Sequence, residues 1–159
     1  MFNTGFGIEI EFTGITRAQA AQAAAEYPGG RVESNGDCYN TQKIHTPDGR
    51  VWKIMSDGSI RTQEKAVGQV ISATGEFSVE LVSPILHYEN DIETLQELIR
   101  VLRRAGGFAN SSCGIHIHLD GENHTPRSIR MVSGQKESAA QGKPVGGSGK
   151  EKKAMENTT

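Results

Sequence analysis

Apolar and polar residues alternate strictly along two short stretches of the chain, at residues 7–12 and 114–120. Such alternation is typical of β-strands, because successive side chains point to opposite faces of a sheet. Isoleucine and phenylalanine oppose glutamates in the first stretch, and isoleucine and leucine oppose histidines and an aspartate in the second. We therefore predict two strands, each with an apolar face that packs against other residues and a polar face available for chemistry.

The same pattern predicts three further strands. Residues 76–82 alternate in this way and place Glu80 on the polar side of a strand. Residues 39–46 and 50–56 flank Pro47-Asp48-Gly49, whose residue types favour a tight turn, so we expect these segments to form a hairpin.

Two helices are predicted from composition and spacing. An alanine-rich run over residues 17–27 follows Thr16, a favourable N-cap residue. Residues 90–104 carry an apolar stripe at helical spacing, and Asn90 with Glu93 resembles a capping box at its start.

The remaining segments give weaker signals. Residues 63–75 show no clear periodicity, so we expect an irregular loop with one short strand over 67–71. Thr125-Pro126 has the residue types that open a helix, but from residue 133 the chain contains almost no large apolar side chain. We therefore predict a domain over residues 1–132 and a disordered tail rich in Gly, Lys and Ser over residues 133–159.

Composition narrows the class of protein. The chain has 159 residues, a net charge of −2 and a sequence pI near 6.2, so no basic field favours nucleic acid as a partner. Two cysteines, Cys38 and Cys113, are too few for a disulfide scaffold, and no apolar segment in the sequence signals export or membrane insertion. We expect a cytoplasmic protein that acts on small molecules or peptides.

The polar strand faces predict a metal site. A Glu-x-Glu or His-x-His pair alone is also explained by a solvated strand face, but three carboxylates and two histidines on one sheet face repel unless cations or hydrogen bonds offset their charges. Carboxylate oxygens suit Mg²⁺, and one imidazole among them also suits Mn²⁺. Zinc is the competing metal, although the sequence has no His-Glu-x-x-His or Cys-x-x-Cys motif. No phosphate-binding glycine loop is present either, so any nucleotide is expected to bind through metal and sheet.

The order of four motifs resembles the amidoligase family of glutamine synthetase-like carboxylate-amine ligases. The resemblance covers about residues 5 to 132, and an ordered set is far more specific than any single motif. The motifs are Gly7-Ile8-Glu9-Ile10-Glu11-Phe12, Trp52-Lys53-Ile54 with Asp57-Gly58-Ser59-Ile60, Glu80-Leu81-Val82-Ser83-Pro84-Ile85-Leu86, and Cys113-Gly114-Ile115-His116-Ile117-His118.

This resemblance implies a fold and a reaction. The fold is α+β, with an antiparallel sheet of about five to six strands, two helices on one face and a concave polar face that binds ATP and Mg²⁺. In the implied reaction a carboxylate is phosphorylated and an amine attacks the acyl phosphate, which yields an amide and ADP. By position, metal ligands would be Glu9, Glu11, Glu80 and His116, and His118 would contact the nucleotide phosphates.

Other residues of the motifs have competing interpretations. The Asp57-Gly58-Ser59 turn resembles a substrate-side motif but is equally explained as a structural turn. Trp52 is better explained as core packing than as a platform for a base. No catalytic residue can be assigned.

The resemblance also predicts that part of the family's domain is missing. Family members carry basic residues that clamp ATP phosphates in a second half, which has no counterpart here, so we expect a truncated domain that self-associates or pairs with a complementing C-terminal half. The second hypothesis is therefore a non-catalytic fragment that binds metal or nucleotide. A zinc-dependent hydrolase is the third.

Overall fold

The predicted strands assemble into an antiparallel sheet. A computed structural model of the chain describes residues 4–121. Its strands are β1 (Gly5–Phe12), β2 (Arg31–Ser34), β3 (Gln42–His45), β4 (Val51–Met55), β5 (Gln63–Ala66), β6 (Gln69–Ser72), β7 (Val79–Val82), β8 (Leu86–His87) and β9 (Ile115–Leu119). Its helices are α1 (Arg17–Glu26) and α2 (Tyr88–Arg104).

Seven of these strands form one sheet, and β5 with β6 forms a separate hairpin. Across the sheet, β2, β3, β4, β7 and β1 follow one another in antiparallel pairs. Phe6 of β1 pairs with both Leu86 of β8 and Leu119 of β9, so these two strands lie on opposite edges of β1. Strands β7 and β8 therefore pair one after the other along one edge of β1, and β9 pairs along its other edge. The predicted α+β class with an antiparallel sheet is confirmed.

Both helices belong to one hydrophobic core with the sheet. Helix α1 contacts β2, β3 and β4, while α2 contacts β8 and α1. Trp52 is buried in this core, as predicted, and β4 lies inside the sheet between β3 and β7. The core consists mainly of alanines from α1, leucines from α2 and aliphatic residues from the sheet face that carries Ile8, Ile54 and Leu81.

The helix starts show one correct and one wrong prediction. Thr16 caps α1: its side chain accepts a hydrogen bond from the Gln19 amide, and the Gln19 side chain reaches back to the Thr16 amide. Helix α2 begins at Tyr88, two residues before the predicted start. The carboxylate of Asp91 accepts from the His87 amide at 2.8 Å, so this side chain replaces the expected box of Asn90 with Glu93.

Two loop and strand predictions are also wrong in detail. The short strand predicted over 67–71 overlaps β6, but the rest of residues 63–75 is not the predicted irregular loop, because β5 pairs with β6 in a hairpin whose turn has positive φ at Val67 (49°) and Gly68 (77°). Two positive φ angles define a type I′ turn, but a β-branched residue hides that signal in the sequence. Strand β7 begins only at Val79, because Gly75–Phe77 forms a 3₁₀ turn that precedes buried Ser78.

The apolar face of β9 is exposed, contrary to expectation. Ile115 and Ile117 are each 62% exposed and Leu119 is 50% exposed. Strand β9 lies on the far side of β1 from β7 and β8, beyond the part of the sheet that the two described helices cover. The expected packing partner of this face is therefore absent from the part of the chain that the structure describes.

Two expectations concern residues outside the described range. The helix opening at Thr125-Pro126 and the tail over residues 133–159 both lie beyond residue 121. Within residues 4–121, neither helix has the length and apolar character that crossing a membrane requires.

Candidate metal centre

The polar face of the sheet brings together all the predicted metal ligands. Strand pairing sets Glu11 of β1 directly opposite Glu80 of β7, and Glu9 of β1 directly opposite His116 of β9. Residues directly opposite in an antiparallel pair point to the same face, with Cβ atoms about 4.5–5.5 Å apart. The register thus concentrates three carboxylates and one imidazole in a small area, opposite the face that α1 and α2 cover.

These side chains form two overlapping groups of candidate ligand atoms. Glu9, Glu80 and His116 offer one ligand atom each, with all three atoms within 4.8 Å of one another. Glu11, Asp57 and Glu80 form a second group that meets the same limit. Glu80 belongs to both groups, so its carboxylate occupies the position of a bridge between two candidate cation positions.

Glu9 lies between the two histidines of β9. Its Oε2 atom is 3.3 Å from His116 Nδ1 and 3.1 Å from His118 Nε2. The hydrogen bond from His118 is the largest cause of a lowered pKa for the Glu9 carboxyl, with a smaller contribution from His116 and opposition from burial. Glu9 is therefore held in its charged form, which is the form that binds a cation.

His118 occupies a different position from the other predicted ligands. It contacts Glu9 but is not a member of either group of candidate ligand atoms within residues 4–121. The separate role expected for His118, contact with nucleotide phosphate, stays a prediction.

Glu80 has the opposite electrostatic environment from Glu9. Burial is the largest cause of its raised pKa, followed by repulsion from the carboxylates of Glu9, Asp57 and Glu11. Negative charge is therefore crowded at the shared position, and a bound divalent cation would relieve that crowding.

Glu11 is the most buried of the site carboxylates, with only 6% of the residue exposed. Its Oε2 accepts a hydrogen bond from the Gly114 backbone amide at 2.7 Å. A Cβ atom on Gly114 would lie 3.4 Å from His116 Nε2 and 3.5 Å from Glu11 Oε2. Glycine before β9 therefore lets the backbone approach both candidate ligands closely.

Asp57 lies in the turn for which the sequence allows either a substrate-side or a structural role. Its Oδ1 accepts hydrogen bonds from the Ser59 amide at 2.6 Å and the Ser59 hydroxyl at 2.5 Å, and these bonds, the hydroxyl first, lower its pKa. Ser78 fixes the same turn, since its hydroxyl donates to the Asp57 carbonyl and accepts from the Asp57 amide. Asp57 is therefore both a structural turn residue and a candidate ligand.

The two-residue spacing between Met55 and Asp57 in the sequence indicates the role of Asp57 as a candidate ligand. Met55 lies opposite Glu80 on the polar face, and Asp57 follows Met55 by two residues, so strand periodicity carried into the turn gives it the same side.

The donor set favours a hard cation. The first group supplies two carboxylate oxygens and one imidazole nitrogen, and the second supplies carboxylate oxygens alone. Oxygen-rich sets of this kind suit Mg²⁺ and Mn²⁺ better than zinc, whose protein sites are built mainly from nitrogen and sulfur.

Comparison with protein families gives a match over most of the chain. A family described as "Putative amidoligase enzyme" matches residues 3–135. The chain matches no curated protein and no solved structure. The matched range contains every residue of the two candidate ligand groups.

Proposed function

We propose, from the premise that the chain belongs to the amidoligase family, that it is an ATP- and Mg²⁺-dependent ligase that joins a carboxylate to an amine. The observation that carries this proposal is the pair of ligand groups that share Glu80 on one sheet face. Two adjacent cation positions are the arrangement that many phosphoryl-transfer sites use.

The residues present fit divalent cations. Burial, and then repulsion from Glu9, Asp57 and Glu11, raises the pKa of Glu80, and a cation would offset the repulsion. Glu9, Glu80 and His116 would hold one cation, and Glu11, Asp57 and Glu80 the other. Bound Mg²⁺ or Mn²⁺ would neutralise negative charge on the transferring phosphoryl group.

The protein residues orient these ligands. His118 and His116 position the Glu9 carboxylate, and the Gly114 amide positions that of Glu11. The Ser59 hydroxyl donates to the Asp57 carboxylate within the turn, and the Ser78 hydroxyl ties the turn to the residue before β7. Such hydrogen bonds to ligand side chains tune affinity and fix geometry in metal sites.

The substrates follow from the reaction class: ATP, a carboxylate on a small molecule or peptide, and an amine. In the proposed reaction, the carboxylate oxygen attacks the terminal phosphorus of ATP and ADP leaves. The amine nitrogen then attacks the acyl carbon, phosphate leaves, and the amine loses a proton.

The test is ADP release by the full chain with Mg²⁺ or Mn²⁺ and a panel of amines and carboxylates. We expect ADP release that requires both an amine and a carboxylate, and its loss in the Glu80→Gln variant. Glu64→Gln, on the separate β5–β6 hairpin, is the matched control.

Two other results would replace this proposal. Binding of Mg-ATP by calorimetry without turnover by folded protein would support a non-catalytic nucleotide-binding role. Zinc retained at one equivalent after purification, with hydrolysis that needs no ATP, would support a zinc-dependent hydrolase.

A further inference from the structure

The polar face of the sheet carries two lysines, Lys43 and Lys53, beside the candidate metal ligands. We call the lysines the basic half of this face, and the part with Glu9, Glu11, Asp57 and Glu80 the acidic half. One row of directly opposed residues crosses six strands on this face. From β2 to β9, the row is Glu33, Lys43, Lys53, Val82, Glu9 and His116. All six share one side of the sheet, because directly opposed residues point the same way.

Lys43 and Lys53 lie directly opposite each other in the β3–β4 pair. Like charges in this arrangement destabilise a sheet, unless an anion lies between them. Glu33 is opposite Lys43, but its Oε2 lies 2.9 Å from His45 Nε2 instead. Among residues 4–121, neither lysine forms an ion pair with a carboxylate.

The distance between the two lysines and Glu9 along the row is short enough for one extended anion to reach both. Neighbouring strands are about 4.8 Å apart, so the backbone of Lys53 lies about 10 Å from that of Glu9, and that of Lys43 about 14 Å away. Half-buried Val82 lies between Lys53 and Glu9 and places no charge in that gap. Long lysine side chains shorten the gap further, because their ammonium groups end a flexible four-carbon stem.

We propose that Lys43 and Lys53 bind the polyphosphate chain of the nucleotide whose cations are held by Glu9, Glu80 and His116. This assignment rests on the proposed function and adds two protein cations to the proposed phosphate site. The acidic half would bind the phosphates through divalent cations, and the basic half would bind them directly.

The experiment measures binding of Mg-ATP and of Mg-tripolyphosphate to the full chain by titration calorimetry. Lys43→Ala and Lys53→Ala should each weaken both ligands about tenfold, the usual effect of losing one charge-assisted hydrogen bond. Lys53→Arg should retain most of the affinity, because it keeps the positive charge.

Lys65→Ala is the matched control. Lys65 lies on the separate β5–β6 hairpin, outside the row, with its ammonium group 5.2 Å from the centre of the Phe108 ring. Its removal should leave phosphate affinity within twofold of the unsubstituted chain. Mn²⁺ binding without nucleotide should be unweakened in Lys43→Ala and Lys53→Ala.

The outcomes separate this inference from the proposed function. Mg-ATP binding that both lysine substitutions leave unchanged would overturn the inference and keep the ligase proposal. No binding of Mg-ATP or Mg-tripolyphosphate to the unsubstituted chain would overturn both. Lysine-dependent binding of a dicarboxylate such as glutarate, without lysine-dependent binding of tripolyphosphate, would assign the basic half to the acyl substrate and also overturn the inference.

Discussion

Glu11 and Glu80 lie directly opposite each other across the β1–β7 pair, on the face of the sheet away from the helices. Two glutamates in this register repel, and Asp57 and Glu9 add to the repulsion at Glu80. Repulsion among four carboxylates this close lowers the free energy of unfolding of the cation-free protein. The site can therefore be tested by measurements of stability as well as by activity.

Replacing Glu80 by glutamine should stabilise the cation-free protein. Glutamine keeps the shape and removes one negative charge, so we expect the free energy of unfolding to rise by about 0.5 kcal/mol, a value reduced by solvent screening. Urea unfolding in EDTA measures this change, with Glu64→Gln as control. A fall in stability would show that the Glu80 carboxylate makes a net favourable interaction in the cation-free protein.

The same variant should lose the stabilisation that cations provide. A ligand that binds only the folded state adds about 2.7 kcal/mol at 100 times its dissociation constant. We expect the unfolding temperature of the unsubstituted chain to rise with Mn²⁺, and that of Glu80→Gln to rise much less. Equal shifts in both proteins would remove Glu80 from the metal site.

The raised pKa of Glu80 should make its contribution to stability decrease as pH rises. Folding raises the pKa of this carboxyl from its ordinary value of 4.5, so its contribution favours the folded state at low pH and is lost as pH rises through the folded-state pKa. The stability of the unsubstituted chain relative to Glu80→Gln, measured without cations, should therefore fall from about pH 4.5 upward.

Glu9 should show the reverse trend. Its pKa is lowered, chiefly by the hydrogen bond from His118, so its contribution is present above pH 4.5 and is lost as pH falls through the lowered pKa. The difference between the unsubstituted chain and Glu9→Gln, from urea unfolding over the same pH range, should shrink on acidification. Parallel curves for Glu9→Gln and Glu80→Gln would contradict both assignments.

Asp57→Asn should affect one cation position and spare the other. Asparagine can still accept the hydrogen bonds from Ser59, so the turn should persist, but the charge is lost. We expect Mn²⁺ binding, followed by electron paramagnetic resonance, to fall from two equivalents to one. Glu9→Ala should likewise remove one position, at Glu9, Glu80 and His116, without unfolding the chain. A stoichiometry unchanged by Asp57→Asn would mean that the turn is structural alone.

Gly14→Ala should be strongly destabilising. Gly14 has φ of 95°, and a Cβ atom there would lie 2.5 Å from both the Gly106 carbonyl oxygen and the Phe108 ring. We expect a loss of about 3 kcal/mol or more, from backbone strain combined with overpacking. Gly49→Ala is the matched control, because Gly49 also has a positive φ, 82°, but an added Cβ atom there would meet nothing within 4 Å. Only the conformational cost of about 1 kcal/mol should therefore appear in this variant. Equal losses would show that the loop at Gly106 yields to the added methyl group.

Local sequence determined strands β1 and β9, their two faces and the start of α1. Alternation in residues 7–12 and 114–120 depends only on neighbouring side chains, and the Thr16 cap needs only Gln19 three residues later. The candidate ligands Glu9, Glu11 and His116 could therefore be placed on polar strand faces from the sequence alone. Their order in the chain also identified the family, which the match over residues 3–135 confirms.

Only the tertiary structure decided which strands are neighbours and in what register. Pairing of Glu11 with Glu80, and of Lys43 with Lys53, joins segments whose contacts leave no local mark in the sequence. The place of Asp57 in the site depends on Ser78, which is 21 residues away. The exposed apolar face of β9 likewise follows from where the helices lie, because an alternating pattern specifies a face but not what covers it.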